Sequence, residues 1–415
     1  MKHSTIYIIG LVLLCLTACQ HDTPENVGNF IDYSLKSNHG KAFVVTDEQD
    51  RVIESDPKPR QASSLSTSSI ARGILSSIAG QTVHQVNGTY QTINEHGESV
   101  MASGAIFYPT NKRAKNIVLV SHYTVAANYE APTQTFPLEA YLATKGYVVL
   151  MPDYLGYGAT VERIHPYLQN YLTSINVIDM LYSSYPFLAA REIQVAADSI
   201  ILAGYSQGGV TSAFVQQVIE TDDDYSDILL LSNYCGGGPY YPYVTYWVYR
   251  NKDVSDIPYA MPMTIAGMAI GRDSVLSLDF FFQDYLLEHF DEWFVSKKYN
   301  GQEINALMGT NKLSEMLKPQ AFVDSLETMQ EFFAELHENG MAPGYVPRAP
   351  MYVFHSTRDN VVPFENADTL RARFNYWPTI MDDPTPANVT YDFADYGNHM
   401  NGFLNFFFGA IWSRL

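Results

Sequence analysis

The chain has 415 residues, a formal net charge of −19 at pH 7 and 47% hydrophobic residues. This acidic balance argues against nucleic acid as a partner, because phosphate backbones bind basic surfaces, and it favours solubility. The hydrophobic fraction supplies enough material for one large domain, or for a domain that carries an insertion.

The first nineteen residues are typical of an export signal. A short basic end at residues 1–3 precedes an apolar stretch at 6–14 that is too short to span a bilayer, and Leu16-Thr17-Ala18-Cys19 forms a small-residue cleavage site. The pattern resembles a bacterial lipoprotein signal, which implies removal of residues 1–18 and acylation of Cys19. An ordinary secretory signal is the alternative. We therefore expect an exported protein, anchored by this lipid to a bacterial membrane, the outer membrane, on its periplasmic or cell-surface side.

The body of the protein should be soluble and free of internal disulfides. No second run of about 18 apolar residues follows the signal. Cys15 would leave with the signal and Cys19 would be lipidated, which leaves Cys235 without a partner in the chain. Stability should therefore come from the hydrophobic core.

The segment after the signal, up to residue 69, is predicted to be a tether and lead-in. It is polar, contains Pro57-Lys58-Pro59 and a serine-rich stretch, and shows little sustained periodicity. Two alternating runs then follow at 83–93 and 100–108, with turn residues around 94–97 between them. These runs predict a β-hairpin at the start of the folded body.

Strands and helices alternate after the hairpin. Buried strands are predicted at 116–122 and 147–152, and helices at 138–145 and 172–185, the first of them ending before Gly146. Further strands are predicted at 228–231, 351–354 and 389–393, and a last helix at 400–412. This order indicates an α/β fold with a mostly parallel sheet covered by helices on both faces.

Residues 239–347, called the cap segment below, interrupt that alternation. The segment is rich in aromatic residues and looks helical where it is periodic, so we expect an inserted helical cap. Its aromatic side chains could form an acyl-binding tunnel, a stacking platform for sugar or phenolic esters, or only the core of the cap. The resulting domain organisation is a signal at 1–18, a lead-in at 19–69, a first core part at 70–238, the cap at 239–347 and a second core part at 348–415.

The strongest chemical motif is a GxSxG sequence, Gly204-Tyr205-Ser206-Gln207-Gly208, which Gly209 follows. A chance match is expected on the order of 0.1 times in a chain of this length. Here the motif lies between an apolar run at 199–203 and a helical pattern at 210–219. Strand, sharp turn and helix is the setting that exposes a serine as a nucleophile, so Ser206 is the predicted nucleophile.

A serine nucleophile needs a base and an acid that orients the base, and in α/β-hydrolases the order along the chain is Ser, then Asp or Glu, then His. Asp359 follows the strand at 351–354, and His399 follows the strand at 389–393. We predict Asp359 as the acid and His399 as the base. The competitors are two acids and three histidines, namely Asp392, Asp395, His165, His289 and His355.

The oxyanion of the transition state needs two hydrogen-bond donors. One is expected from the backbone N–H of Gln207, the residue after the nucleophile. The other should come from the loop after the strand at 116–122, where Thr124 is favoured and Tyr123 is the alternative. His122 is predicted to support this loop rather than to transfer protons.

In combination, these motifs resemble the secretory lipase (lipase-A type) family of α/β-hydrolases, over roughly residue 100 to the end. The resemblance rests on 152–158 (PDYLGYG), 165–168 (HPYL), 204–209 (GYSQGG), 359–363 (DNVVP) and His399. It implies an α/β-hydrolase fold with a helical cap and ester hydrolysis through Ser206, Asp359 and His399. Many relatives carry His-Gly-Thr at the oxyanion loop, where this chain has His122-Tyr123-Thr124, so we expect a narrower or reshaped oxyanion hole. The cap is the most variable part of such enzymes, so acyl preference does not carry over. Asp153, Tyr154 and His165 match family motifs that we interpret as architectural.

The leading hypothesis is therefore a lipid-anchored serine esterase or lipase acting outside the cytoplasm on a small-molecule or glycan-linked ester. No cofactor or metal is expected, because the sequence has no HExxH motif and no clustered Cys/His pattern. Three alternatives remain open: a glycan acetyl or feruloyl esterase, a serine peptidase on the same triad, and a binding lipoprotein without catalysis.

Overall fold

The structure, a computed structural model, describes residues 42–53, 69–271, 275–381 and 385–415. The predicted signal, Cys19 and most of the lead-in lie outside these residues. None of the helices in the described ranges combines the length and the hydropathy that a bilayer crossing requires.

A mixed sheet forms the centre of the fold, and within the described ranges it has nine strands in the order β1-β2-β3-β6-β5-β8-β9-β10-β11. β1, β2, β3 and β6 pair antiparallel, and β6, β5, β8, β9, β10 and β11 pair parallel. A separate two-stranded parallel sheet joins β4 to β7. The strands are β1 Val44–Val52, β2 Thr82–Ile93, β3 Ser99–Pro109, β4 Arg113–Ala114, β5 Ile117–Ser121, β6 Val148–Pro152, β7 Gln194–Val195, β8 Ile200–Tyr205, β9 Leu230–Gly236, β10 Met351–Ser356 and β11 Val389–Ala394.

Helices connect the parallel strands and cover the sheet. Hydrophobic clusters lie on its two faces, one of them shared with the cap segment. The α-helices are α1 Ser69–Ile78, α2 Asn170–Ala190, α3 Gln207–Thr221, α4 Pro242–Lys252, α5 Ala260–Ala269, α6 Leu278–Phe281, α7 Asp284–Phe290, α8 Gly301–Met308, α9 Leu313–Met316, α10 Glu327–Glu338, α11 Glu365–Tyr376 and α12 His399–Asn405. The mostly parallel sheet with helices confirms the predicted fold class.

The central strands form because their sequences are apolar without interruption. β5, β6 and β8 are buried at every residue, as expected for parallel strands that have helices on both sides. The segment Leu138–Lys145, predicted as a helix, is a 3₁₀-helix that ends at Gly146. Gly146 has φ 87°, the left-handed conformation that glycine adopts without strain.

Three expectations need correction. Residues 44–52, predicted to belong to an irregular lead-in, form β1 and pair with β2 at the sheet edge. The strand predicted at 228–231 starts at Leu230 and extends to Gly236, and Leu229 and Leu231 are exposed instead of buried. The last helix begins at His399, and its second half, Phe406–Trp412, is π-helical.

The cap segment is helical in the structure, with α4 to α10 lying between β9 and β10. Most of its aromatic residues pack with one another and with α3, and Phe281, Phe282 and Phe332 are buried to 1% exposure or less. Burial of such rings is the main source of stability in a helical layer of this kind. The aromatic richness of the segment therefore mostly reflects its core.

Candidate active site

Ser206 occupies a sharp turn between the end of β8 and the start of α3. Its backbone angles are φ 60° and ψ −124°, which a residue other than glycine adopts only under strain of about 1–3 kcal/mol. The hydrogen bond from Ser206 N to Gly236 O, 2.9 Å long, fixes the turn against β9. Strain held in this way at a strand-to-helix turn is the geometry of a nucleophile elbow.

The glycines of the motif allow the turn to pack against its neighbours. A Cβ at Gly204 would lie 2.0 Å from Gly208 O, and one at Gly208 would lie 1.9 Å from Ser121 O. A Cβ at Gly209 would approach Gly236 O to 2.3 Å. The same contacts show that the end of β5 lies directly beside the turn.

Asp359 and His399 are hydrogen-bonded to each other. His399 Nδ1 lies 2.6 Å from Asp359 Oδ2, while Asp359 Oδ1 accepts from the N–H groups of Val361 and Val362, each at 2.8 Å. Burial alone would raise the pKa of the Asp359 carboxyl, but His399, His355 and the Val361 N–H stabilise the anion and bring that pKa below its ordinary value. The carboxylate is therefore ionised and oriented toward the imidazole.

The backbone of His399 is held at both of its polar groups. Its N–H donates to Asn360 Oδ1 at 3.1 Å, and its carbonyl oxygen accepts from the Tyr205 hydroxyl at 2.8 Å. The Tyr205 ring also packs on the imidazole, with the ring centroids 4.9 Å apart. Because Tyr205 precedes Ser206 directly, the nucleophile turn and the histidine are fixed to each other.

The structure does not join all three predicted catalytic side chains by hydrogen bonds. Among the described residues, no hydrogen bond reaches Ser206 Oγ, whereas Asp359 and His399 are joined. Ser206 is 8% exposed and lines a cavity that is partly open to solvent. Such a contact is often long in a ligand-free enzyme and tightens once a substrate is bound.

One predicted oxyanion donor, Gln207, follows Ser206 directly, and the other, Thr124, lies in the loop after β5, whose end packs beside the turn. Gln207 is the first residue of α3, so its N–H has no acceptor within the helix. In the loop after β5, Thr124 Oγ1 lies 3.0 Å from the Tyr167 hydroxyl, while Tyr123 is 43% exposed and packs edge-on against Phe403. Gln207 and Thr124 therefore remain the predicted donors, with Tyr123 the alternative.

His122 belongs to the architecture of this loop. Its Nδ1 lies 2.6 Å from Tyr123 O and its Nε2 lies 3.3 Å from Asp153 O. Burial lowers the pKa of His122 to about 4, so the ring is neutral near pH 7 and carries one N–H. Its shorter contact is the one with the carbonyl of the oxyanion loop, which fits the predicted supporting role.

Sequence reasoning missed one side-chain contact at the nucleophile. Gln207 Nε2 donates to His165 Nε2 at 2.8 Å, and His165 Nδ1 donates to Leu155 O at 2.7 Å. Burial, with the nearby Lys297 charge, lowers the pKa of His165 to about 3, consistent with this neutral tautomer. His165 therefore positions the residue that follows Ser206. The 165–168 motif pointed to His165 but contained no sign of its partner Gln207.

The competing histidines and acids make other contacts. His355 is fully buried, and its Nε2 donates to Val362 O at 3.0 Å. His289 stacks on Trp293 in the cap segment, with the ring centroids 4.6 Å apart. Asp392 accepts hydrogen bonds from Tyr352 and Tyr396, and Asp395 accepts from Gly397 N. The carboxylate that reaches His399 is that of Asp359.

Asp153, from the 152–158 motif, is a buried structural acid. Its carboxylate accepts from Ser103 Oγ at 2.6 Å and from the N–H and hydroxyl of Thr133 at 2.9 and 2.7 Å. Burial raises the pKa of its carboxyl, although these three bonds act in the opposite direction. The side chain ties β3, β6 and the loop after Ala131 together.

Comparison with solved structures identifies the fold. The rice cell wall degrading esterase LipA from Xanthomonas oryzae is similar with a TM-score of 0.69 at 21% identity, over 87% of this chain and 95% of that one. A putative hydrolase from Legionella pneumophila is similar with a TM-score of 0.71 at 18% identity, over 87% of this chain and 95% of that one. Candida antarctica lipase A is similar with a TM-score of 0.57 at 14% identity, over 86% of this chain and 77% of that one. The chain thus has an α/β-hydrolase fold.

No protein-family model and no curated protein sequence matches the chain. The residues of the site are therefore interpreted from their geometry.

Proposed function

We propose that this chain is a serine hydrolase that cleaves carboxylic esters through an acyl-enzyme. The observation that carries the proposal is the 2.6 Å hydrogen bond between Asp359 and His399, next to a strained Ser206 turn that Tyr205 connects to His399. The esterases and lipases of the same fold support this choice of reaction. The cap segment would cover the site and select the ester.

In the proposed reaction, Ser206 Oγ attacks the ester carbonyl carbon while His399 Nε2 takes the hydroxyl proton. Asp359 holds the other imidazole N–H in place and stabilises the imidazolium. The Gln207 and Thr124 N–H groups would bind the oxyanion. The carbon–oxygen bond to the alcohol then breaks, and His399 returns the proton to the alcohol. Water releases the acid by the same steps and restores Ser206.

The experiment that tests this proposal compares Ser206→Ala with Ser212→Ala. Ser212 is a buried serine on α3 whose hydroxyl donates to Gly209 O at 3.1 Å. Ser206→Ala should lower ester turnover by at least about 10³-fold, because the nucleophile is lost, while Ser212→Ala keeps the activity within a few-fold.

A Ser206→Ala variant that hydrolyses esters at a near-normal rate would overturn the proposal. A wild-type chain that prefers peptide amides over esters would instead indicate a serine peptidase. Failure of the folded wild-type chain to react with a fluorophosphonate would favour a binding lipoprotein.

We also propose that the enzyme is exported and anchored to a bacterial membrane, the outer membrane, through a lipid on Cys19. The support is the lipoprotein-like sequence of residues 1–19. A Cys19→Ser variant should move from the membrane fraction to the soluble fraction and lose incorporation of labelled fatty acid. A wild-type chain that takes up no fatty acid would contradict the anchor.

A further inference from the structure

The cavity at Ser206 is small. It has a volume of about 50 Å³ and is lined by Ser206 together with residues of the cap segment and of the loop before α2, among them Tyr167, Tyr246, Tyr249, Met261 and Thr264. One water molecule needs roughly 10–15 Å³ of a volume measured in this way. The cavity therefore has room for about three to five groups the size of a water molecule or a methylene group. For comparison, an apolar cavity of roughly 150 Å³ binds benzene.

The cavity lies on the acyl side of the reaction. His399 must hand a proton to the leaving alcohol, so the alcohol has to lie against His399. His399 does not line the cavity, whereas Val361 and Val362, beside Asp359, do. Met400, the residue after His399, is 48% exposed, so this side of the site borders solvent. The group that enters the cavity is therefore the acyl chain, and the alcohol faces solvent.

The walls of the cavity are fixed to the core of the fold. Gln169 Nε2 donates to Gly267 O on α5 at 2.6 Å, and Asn170 Nδ2 donates to Asn339 O at 2.7 Å. At Gly267 the backbones of α5 and of the loop before α2 touch, because a Cβ there would lie 2.4 Å from Tyr167 O. Widening the cavity would break these contacts.

The loop after β10 that carries Asp359, called the acid loop below, holds the opposite wall of the cavity in place. The Tyr249 hydroxyl, on α4, donates to the carbonyl oxygens of Asn360 and Val361, and Asn360 Nδ2 donates to Asp256 Oδ2 at 2.8 Å. Movement of α4 would therefore disturb the loop that carries Asp359. A site that must keep Asp359 in place has to keep this wall in place as well.

We propose that the enzyme is specific for esters of short acyl groups, from acetyl to about butanoyl, on alcohols of larger size. This inference rests on the proposed ester hydrolysis at Ser206. A two- to four-carbon chain fills the cavity, whereas a fatty acyl chain or a feruloyl group would extend beyond it. Met261 and Ala260, which both line the cavity, set the length of the accepted chain.

The test measures kcat/KM for p-nitrophenyl esters of two, four, eight, twelve and sixteen carbons, each below its solubility limit. The wild type should prefer the two- and four-carbon esters and lose at least about tenfold by eight carbons, because the longer chain has no space. Met261→Ala should raise the ratio of eight-carbon to two-carbon activity by about tenfold. The control is Met316→Ala. Met316 is a fully buried methionine of the cap segment that does not line the cavity, so its substitution should leave that ratio unchanged.

Ala260→Val provides a second variant with the opposite effect, because the larger side chain fills part of the cavity. It should lower the ratio of kcat/KM for the four-carbon ester to that for the two-carbon ester. Wild-type activity that rises through eight to sixteen carbons would overturn the short-acyl proposal and leave ester hydrolysis intact. Folded Met261→Ala and Ala260→Val variants with an unchanged chain-length profile would also overturn it. A folded wild-type chain that is inactive on every ester, including the acetyl ester, would contradict the proposed function itself.

Discussion

The imidazole of His399 and the carboxylate of Asp359 meet through one 2.6 Å hydrogen bond, although the two residues are forty positions apart. Their proximity follows from the sheet. β10 and β11 pair in parallel, with Ser356 opposite Ala394, so the loops that follow the two strands leave the same edge side by side. The acid and the base are therefore neighbours as a direct result of strand register.

Replacing Asp359 by Asn should lower kcat by on the order of 10³–10⁴-fold, because an amide stabilises the wrong imidazole tautomer and carries no charge to balance the imidazolium. The control is Asp395→Asn, an exposed acid on the loop before His399 whose carboxylate accepts from Gly397 N. It should retain activity within a few-fold. Steady-state kinetics on a short-chain ester checks both, and equal losses in the two variants would contradict the role of Asp359.

Gly208→Ala should destabilise the fold by about 3 kcal/mol or more, since its Cβ would lie 1.9 Å from the carbonyl oxygen of Ser121. Gly73→Ala is the matched control, because a Cβ at this α1 position meets nothing within 4 Å. It should stabilise by up to about 1 kcal/mol through helix propensity. Urea denaturation measures both. A Gly208→Ala variant as stable as the wild type would disprove the close packing of the turn against β5.

The buried His165 should make the fold sensitive to acid. Its pKa is lowered to about 3 in the folded chain and is near 6.5 when unfolded, so below about pH 6.5 the unfolded chain binds more protons. The stability that neutral His165 contributes is therefore present above pH 6.5 and is lost as the pH falls. By pH 5 the loss is on the order of 2 kcal/mol.

The measurement is the destabilisation caused by His165→Asn at about pH 7.5 and at pH 5. It should shrink by on the order of 2 kcal/mol at the lower pH, because the substituted side chain does not titrate. The control is Asn87→Ala, which removes a buried amide that donates to Thr133 O. Its destabilisation should be the same at both pH values, because the amide does not titrate. An effect of His165→Asn that is independent of pH would show that the ring is not held neutral.

Cys235 should be unreactive in the folded protein. It is fully buried, its Sγ donates to Tyr352 O at 3.6 Å, and burial raises the pKa of the thiol to about 12. In a chain with Cys15→Ser and Cys19→Ser, iodoacetamide at about pH 8 should add no label before unfolding and one label after it, as counted by mass spectrometry. Rapid labelling of the folded chain would contradict the burial of this residue.

Several central strands, the turn at Ser206 and the places of Asp359 and His399 after strands could be anticipated because each rests on a local pattern. Apolar runs mark the buried strands, and small residues mark the sharp turn. β1 could not be recognised, because an edge strand in which no residue is buried tolerates the polar sequence VVTDEQDRV. The prediction for β9 covered residues 228–231 and ended too early. The middle of the strand contains Ser232, Asn233 and Tyr234, polar or amphipathic residues whose burial depends on neighbouring elements.

Contacts between distant segments that no motif marks could not be predicted. The bond of Gln207 to His165 and that of Tyr249 to the acid loop join residues 42 and more than 100 positions apart. The volume of the cavity depends in the same way on how the cap segment packs against the loop before α2. One sequence contains no local signal for such distances, so the proposed reaction rests on the motifs, whereas the proposed acyl length rests on the structure.

The most direct test of the central claim is the reaction of the purified chain with diethyl p-nitrophenyl phosphate, followed by peptide mapping. An activated serine should release about one p-nitrophenolate per chain, lose esterase activity in proportion, and carry the phosphoryl group on Ser206 within the peptide that contains residues 204–209. Release without a covalent adduct at Ser206, or modification of a different residue that abolishes activity, would contradict the account.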